Sequence, residues 1–228
     1  MADADLLSAP VFELGPLTIT NTVVTTWVII GVVWLLSWQL SRRLRSEPGA
    51  LQTAVEGVVS TIHEAVAAVA PQQAERIFPF IASLWIYLVI ANLSGLIPGA
   101  HAPTRDLSAT AALAFVVFLS THWFGIRSHG LKVYLRHYLS PSPILLPFHI
   151  IGEITRTIAL AVRLFGNIMS LEMAAMLILL VAGFLAPVPI LMLHVIEALV
   201  QAYIFGMLAL IYVAGGMQSQ QLRPETEE

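Results

Sequence analysis

The chain alternates long apolar blocks with short polar breaks. Residues 22–41 form an apolar run of membrane-spanning length. It closes on Ser41-Arg-Arg-Leu-Arg45, a basic cluster of the kind that marks the inner side of a membrane. Residues 50–70 differ. Leu51, Val55, Val58, Ile62, Val66 and Val69 recur at helical spacing, with Gln52, Glu56, Ser60 and His63 on the other side. That pattern predicts an amphipathic surface helix. It lies on the membrane, on a partner or on the protein's own inner face, and the spacing leaves these three open.

Residues 77–98 predict a second span, with Arg76 at its inner edge, and 107–126 a third. A tight outer turn, Pro98 to Asp106, joins them. The third span leads to Arg127, His129, Lys132, Arg136 and His137, a second inner basic loop with a short surface helix over 132–139, and Ser140-Pro-Ser-Pro143 then breaks the chain. Residues 144–185 are apolar almost throughout, and as one helix they would run roughly 60 Å, twice the ~30 Å hydrocarbon core. Gly166-Asn167 is the one internal turn candidate. A turn there would strand backbone groups in lipid, so the expectation is a single, steeply tilted helix. Ala186-Pro-Val-Pro189 turns the chain outside, and 189–216 forms the last span, ending near Gly215-Gly216.

These elements predict an all-α polytopic membrane protein: one membrane domain over 1–228, with five spans, the amphipathic helix and a C-terminal hairpin of two long helices. Residues 1–21 read as an external lead-in and 217–228 as an inner tail. The basic loops put the N-terminus outside and the C-terminus in the cytoplasm. Composition agrees: 57% of residues are hydrophobic and only 11% charged, with a mean hydropathy of +0.82, where a soluble domain is nearer a quarter charged. Net charge is −3, without a basic tract for nucleic acid, and the absence of cysteine excludes disulfides and thiol chemistry. The N-terminus lacks the basic region of a cleavable signal peptide. No cofactor or metal is implied, and no sequence repeat suggests an inverted-repeat transporter.

Against this apolar background the embedded polar groups stand out. Arg163 lies well inside the fourth block, where its charge costs roughly 2.5–3.5 kcal/mol on insertion scales. It is either a functional cation or one half of a salt bridge with Glu153 or Glu172 that only holds helices together. Arg156, Arg163, Asn167 and Ser170 share a helix face, as do His194, Glu197 and Gln201 on the last span. Two facing polar stripes suit an ion path. Depth sorts the groups: His149 and Glu153 fall on the inner side of Arg163, while Glu172, His194 and Glu197 fall on the outer side. A straight hairpin turning at 186–189 would level Glu172 with about Gln201, leaving Arg163 deeper.

At these residues the sequence resembles subunit a of the F-type ATP synthase. Arg163-Leu-Phe-Gly-Asn167, Glu172 and Gln201-Ala-Tyr-Ile-Phe205 carry the resemblance, with Asn92-Leu-Ser-Gly-Leu-Ile-Pro-Gly99 and Pro103-Thr-Arg-Asp-Leu-Ser-Ala-Thr110. It implies that Arg163 is the stator arginine facing a rotating ring of c subunits. Asn167, Glu172, His194 and Gln201 then match polar positions of the ion path, and Arg156 a position that is often basic. His149 sits where the family often has a carboxylate, and Glu197 is an added one. The resemblance further implies a b-subunit peripheral stalk, a bacterial inner membrane, protons or sodium as the ion, and ATP chemistry in partner subunits. Two other classes compete: a stand-alone ion-coupled transporter, and an intramembrane hydrolase, for which no nucleophile sits at a recognisable spacing.

Overall fold

The computed structural model describes residues 10–14, 17–42, 49–97, 102–131, 134, 146–182 and 188–218. Several expectations fall outside these residues: Arg43 and Arg45 of the first basic cluster, the tip of the outer turn at 98–101, most of the 132–139 surface helix, the Ser140–Pro143 break, Ala186-Pro187 and the tail beyond Gln218.

The lead-in is more ordered than its mixed composition suggested. Strands β1 (Pro10–Leu14) and β2 (Leu17–Thr20) pair antiparallel, with an irregularity between Pro10 and Phe12. Five and four residues around a two-residue connection are too short to stand out as alternation in the sequence.

Helix α1 (Asn21–Arg42) follows directly. Thr25 and Thr26 turn their hydroxyls back onto the carbonyls of Asn21 and Thr22, which removes two polar groups from the helix surface. Only Ile29 of α1 is buried. Near its far end Trp34 and Trp38 stack, and the Arg42 guanidinium sits 4.0 Å above the Trp38 ring.

Helix α2 (Ala50–Val69) is the amphipathic element. Ile62 and Val66 are buried, while Leu51, Val55 and Val58 stay exposed. Only the C-terminal half of the apolar stripe is therefore covered by the protein's own body. Helix α3 (Ala74–Leu93) tolerates Pro79 because the proline stands in its second turn, where the missing N–H removes only one intrahelical bond. It runs into a 3₁₀ turn at Ser94–Leu96, and a second such turn forms at Pro103–Arg105.

Asp106 caps helix α4 (Leu107–His129) by accepting the Ser108 N–H at 2.9 Å. Gly130, at φ 83°, closes the other end, its N–H bonded to the Ile126 carbonyl. Helix α5 (Leu146–Ala182) passes Gly166-Asn167 without a break. Its 37 residues extend roughly 55 Å at 1.5 Å per residue. Helix α6 (Val188–Gln218) also continues through Gly215-Gly216 rather than ending there.

The glycines explain that continuity. A Cβ on Gly216 would lie 3.0 Å from Thr121 Cγ2 and 3.2 Å from the Thr121 carbonyl, so Gly216 serves close approach of α6 to α4. A Cβ on Gly206 would fall 2.5 Å from the Trp85 indole of α3. The core lies where α3, α4, α5 and α6 meet. There Ile77, Ile81 and Leu88 face Phe205, Leu210 and Val213, beside Leu164 and Ile168. Among the described residues, five helices are long and apolar enough to cross a membrane: α1, α3, α4, α5 and α6. The architecture is a polytopic helical membrane protein with a long C-terminal helix pair.

Candidate functional site

A polar bridge joins helices α5 and α6. Asn167 donates through Nδ2 to Gln201 Oε1 at 2.7 Å. Gln201 is 1% exposed. Its level is set by Asn167, not by Glu172 as a straight hairpin turning at 186–189 predicts. The two helices are shifted by little more than one turn from that expectation, which brings Gln201 within one turn of Arg163 along α5.

The α5 stripe runs along the edge of the α5–α6 seam. Arg156 leans over the Tyr212 ring of α6, 4.7 Å from its centroid. Asn167 reaches Gln201. Arg163, between them, is exposed and has no hydrogen-bond or ion-pair partner among the described residues. Exposed apolar side chains of α5, including Ile158 and Val162, precede it in the helix. The internal salt bridge, one of the two sequence readings of Arg163, does not form. Each carboxylate it required has another partner.

Glu172 pairs with Arg105 of the second 3₁₀ turn, Nη1 to Oε1 2.7 Å, with both side chains largely buried. Nearby elements carry further buried polar groups. Asn92, at the end of α3, donates to the Ala198 carbonyl at 3.0 Å and so ties α3 to the backbone of α6. His194 is buried, and Gly95 leaves room for its ring: an added Cβ would come 3.6 Å from Nε2. Asn92 Oδ1, Thr104 Oγ1, His194 Nε2 and Gln201 Nε2 are buried without a hydrogen-bond partner among the described residues. Such atoms cost about 1–3 kcal/mol each when dry, and a group of them is where ordered water belongs. Glu197 is half-buried on the same helix.

The second polar group lies toward the other end of α5. Glu153 Oε2 stands 3.4 Å from His122 Nε2 of α4. Glu153, His149 and Arg156 line a cleft of about 460 Å³, closed on its other sides by Thr121, Tyr212 and Gly216 among others. Thr157 donates to the Glu153 carbonyl at 2.9 Å. Glu153 and Glu172 are nineteen residues apart on α5, roughly 28 Å, and Arg163 falls midway. Around that level Leu160, Leu164 and Ile168 are buried.

The structure thus brings His149, Glu153 and Arg156 to one cleft, and Asn167 to Gln201. Glu172 and His194 sit among a separate set of buried polar groups. Sequence reading missed His122 and the pairing of Arg105 with Glu172. An ionisable side chain inside an apolar span marks His122. Nothing local marks Arg105, whose partner is 67 positions away.

Comparison with known proteins agrees with these features. Residues 23–214 match the family model described as ATP synthase A chain. The chain is 65% identical over 219 residues to ATP synthase subunit a 2 of Pelobacter propionicus, covering 95% of this chain and 96% of the relative. It is also 65% identical over 223 residues to ATP synthase subunit a 1 of Hahella chejuensis, covering 97% and 95%. ATP synthase subunit a of Legionella pneumophila is 52% identical over 228 residues, covering 100% and 99%. With a family match over residues 23–214 and relatives 65% identical along almost the whole length, the chain belongs to the ATP synthase A chain family.

Proposed function

We propose that this chain is the stator of a rotary ATP synthase membrane sector, with Arg163 facing a turning ring of c subunits. In this reading two half-paths lead to the ring. The inner one is lined by His149, Glu153 and Arg156. The outer one runs by Glu172, His194, Glu197 and Gln201, with Asn167 at its end. The N-terminus lies outside a bacterial inner membrane and the C-terminus in the cytoplasm, and a peripheral stalk of b subunits braces the chain.

One observation carries the reading: Arg163 is exposed and has no partner among the described residues, midway along α5 between the two polar groups. A guanidinium does not lose its proton in a protein. A ring carboxyl that reaches it is driven into the charged form and releases its ion. The same fixed charge repels cations, so ions cross between half-paths only by riding the ring. Each charge moved supplies about 2.3 kcal/mol per 100 mV. The ion is a proton or sodium, and ATP chemistry belongs to partner subunits.

Arg163→Ala in the assembled complex is expected to abolish coupled ATP synthesis and open a passive leak across the membrane sector. Both are measured in inverted vesicles, and normal ATP-driven pumping by this variant would overturn the reading. Reconstituted alone, the chain is expected to transport nothing; uptake without a ring would favour a stand-alone transporter.

A further inference from the structure

The geometry points to His122 and Glu153 as one proton-exchanging unit beside the inner cleft, with Glu153 on the cleft wall and His122 behind it as the group that holds the proton. The inference rests on the rotary reading above and deepens its inner half-path.

The orientation of the His122 ring is fixed first. Its Nδ1 lies 2.8 Å from the Phe118 carbonyl. A carbonyl only accepts, so Nδ1 carries hydrogen. The ring also packs against Phe118, centroids 4.3 Å apart, and edge-on against Tyr134 at 5.9 Å. Nε2 is left pointing at Glu153 Oε2, 3.4 Å away. With Nδ1 protonated, a neutral ring presents a lone pair there, and a lone pair facing a carboxylate repels. The contact becomes attractive once one proton is held between the two groups. The pair is therefore built to bind one proton, in a side chain whose ordinary titration range spans physiological pH.

Its place in the molecule gives that proton somewhere to come from and go to. Glu153 lines the open cleft of about 460 Å³. It also lines a second void of about 10 Å³, which lies between α4, α5 and α6 and reaches Thr157 and Leu160. That is about the room one water needs, and it lies on the side of Glu153 toward Arg163. Glu153 stands at the junction of the two spaces. Loading forms an O–H bond on Glu153 as an O–H bond of a hydronium in the cleft breaks, leaving water; that O–H bond then breaks as the Nε2–H bond of His122 forms. Release to water on the Arg163 side reverses the same exchange. Among the described residues, the remaining titratable or charged groups on this cleft are His149 and Arg156 of α5, Tyr134 and Tyr212.

A purely structural role, tying α4 to α5, makes a different prediction. Glutamine at position 122 can still donate to Glu153 and keep the tie, but cannot carry the proton. In the assembled complex His122→Gln is expected to lower ATP-driven proton pumping by about tenfold. It should also flatten the pH dependence of pumping across about pH 5–8, while ATP hydrolysis by the detached soluble sector is unchanged. Should His122→Gln assemble poorly, Glu153→Gln is expected to flatten the same profile, and the double variant to cost no more than the more severe single one. Wild-type pumping with an unaltered pH profile in either single variant overturns the proposal, as does a double variant whose loss is the product of the two. So does a complex whose pumping follows sodium at constant pH and ignores His122. Each of these outcomes leaves the Arg163→Ala test of the rotary reading standing on its own.

Discussion

The two carboxylates of α5 live in opposite circumstances. Glu172 meets a permanent cation, Arg105, at 2.7 Å in largely buried surroundings. Glu153 meets a titratable ring, His122, at a looser 3.4 Å beside an open cleft. A short charge-assisted bond to a guanidinium fixes a carboxylate in place. A contact with imidazole is attractive or repulsive according to one proton. The same residue type on one helix thus serves as a static charge at one end and as half of an exchange site at the other. Position along the helix does not distinguish them; the partner brought up from α4 or from the 103–105 turn does.

The largest effect comes from removing the fixed partner. Arg105→Met leaves the Glu172 carboxylate buried and uncompensated, at a cost of about 3–5 kcal/mol. It is expected to cut the amount of assembled complex sharply, and Arg105→Met with Glu172→Gln should recover most of it. Failure of the double variant to recover would mean that Arg105 acts elsewhere. The corresponding loss at His122 is expected to change pumping rather than assembly.

A finer comparison uses the two carboxylates directly. In the direction of synthesis, Glu172→Gln is expected to raise the outer ion concentration giving half-maximal turnover by about tenfold, because a negative charge beside a path concentrates cations. Glu153→Gln should leave that concentration nearly unchanged and act on the inner side. Equal shifts would contradict the sorting of the two groups by depth. The smallest effect is expected at the bridge between the helices. Asn167→Leu leaves Gln201 Oε1 without its donor and should cost about 1 kcal/mol of stability, seen as a modest drop in the thermal midpoint of the purified complex. A change within error would mean that water already serves Gln201.

Much of this arrangement was legible beforehand, for local reasons. The unbroken apolar length of 144–185 and the cost of a turn in lipid argued for one helix, and α5 is one helix over 146–182. The spacing of Ile62 and Val66 marked α2 as amphipathic, and those residues are its buried ones. The sequence places the last span at 189–216, and α6 runs two residues further, to Gln218, with Gly216 packed closely on Thr121. The α5–α6 register was open in the sequence, because a relative shift or tilt of two long helices changes no hydrophobic period in either; the Asn167–Gln201 bond settles it.

Block length, helical spacing and an arginine deep in an apolar run are properties of neighbouring residues, so the spans, the polar stripes and the prominence of Arg163 were determined by the sequence itself. Which group each carboxylate faces, that Asn167 meets Gln201, and that Arg163 meets nothing within the described chain were decided only when the helices came together. Those pairings depend on how 37- and 31-residue helices slide and lean against α3 and α4, and interlocking side chains such as Trp85 against Gly206 fix that slide to within a fraction of a turn.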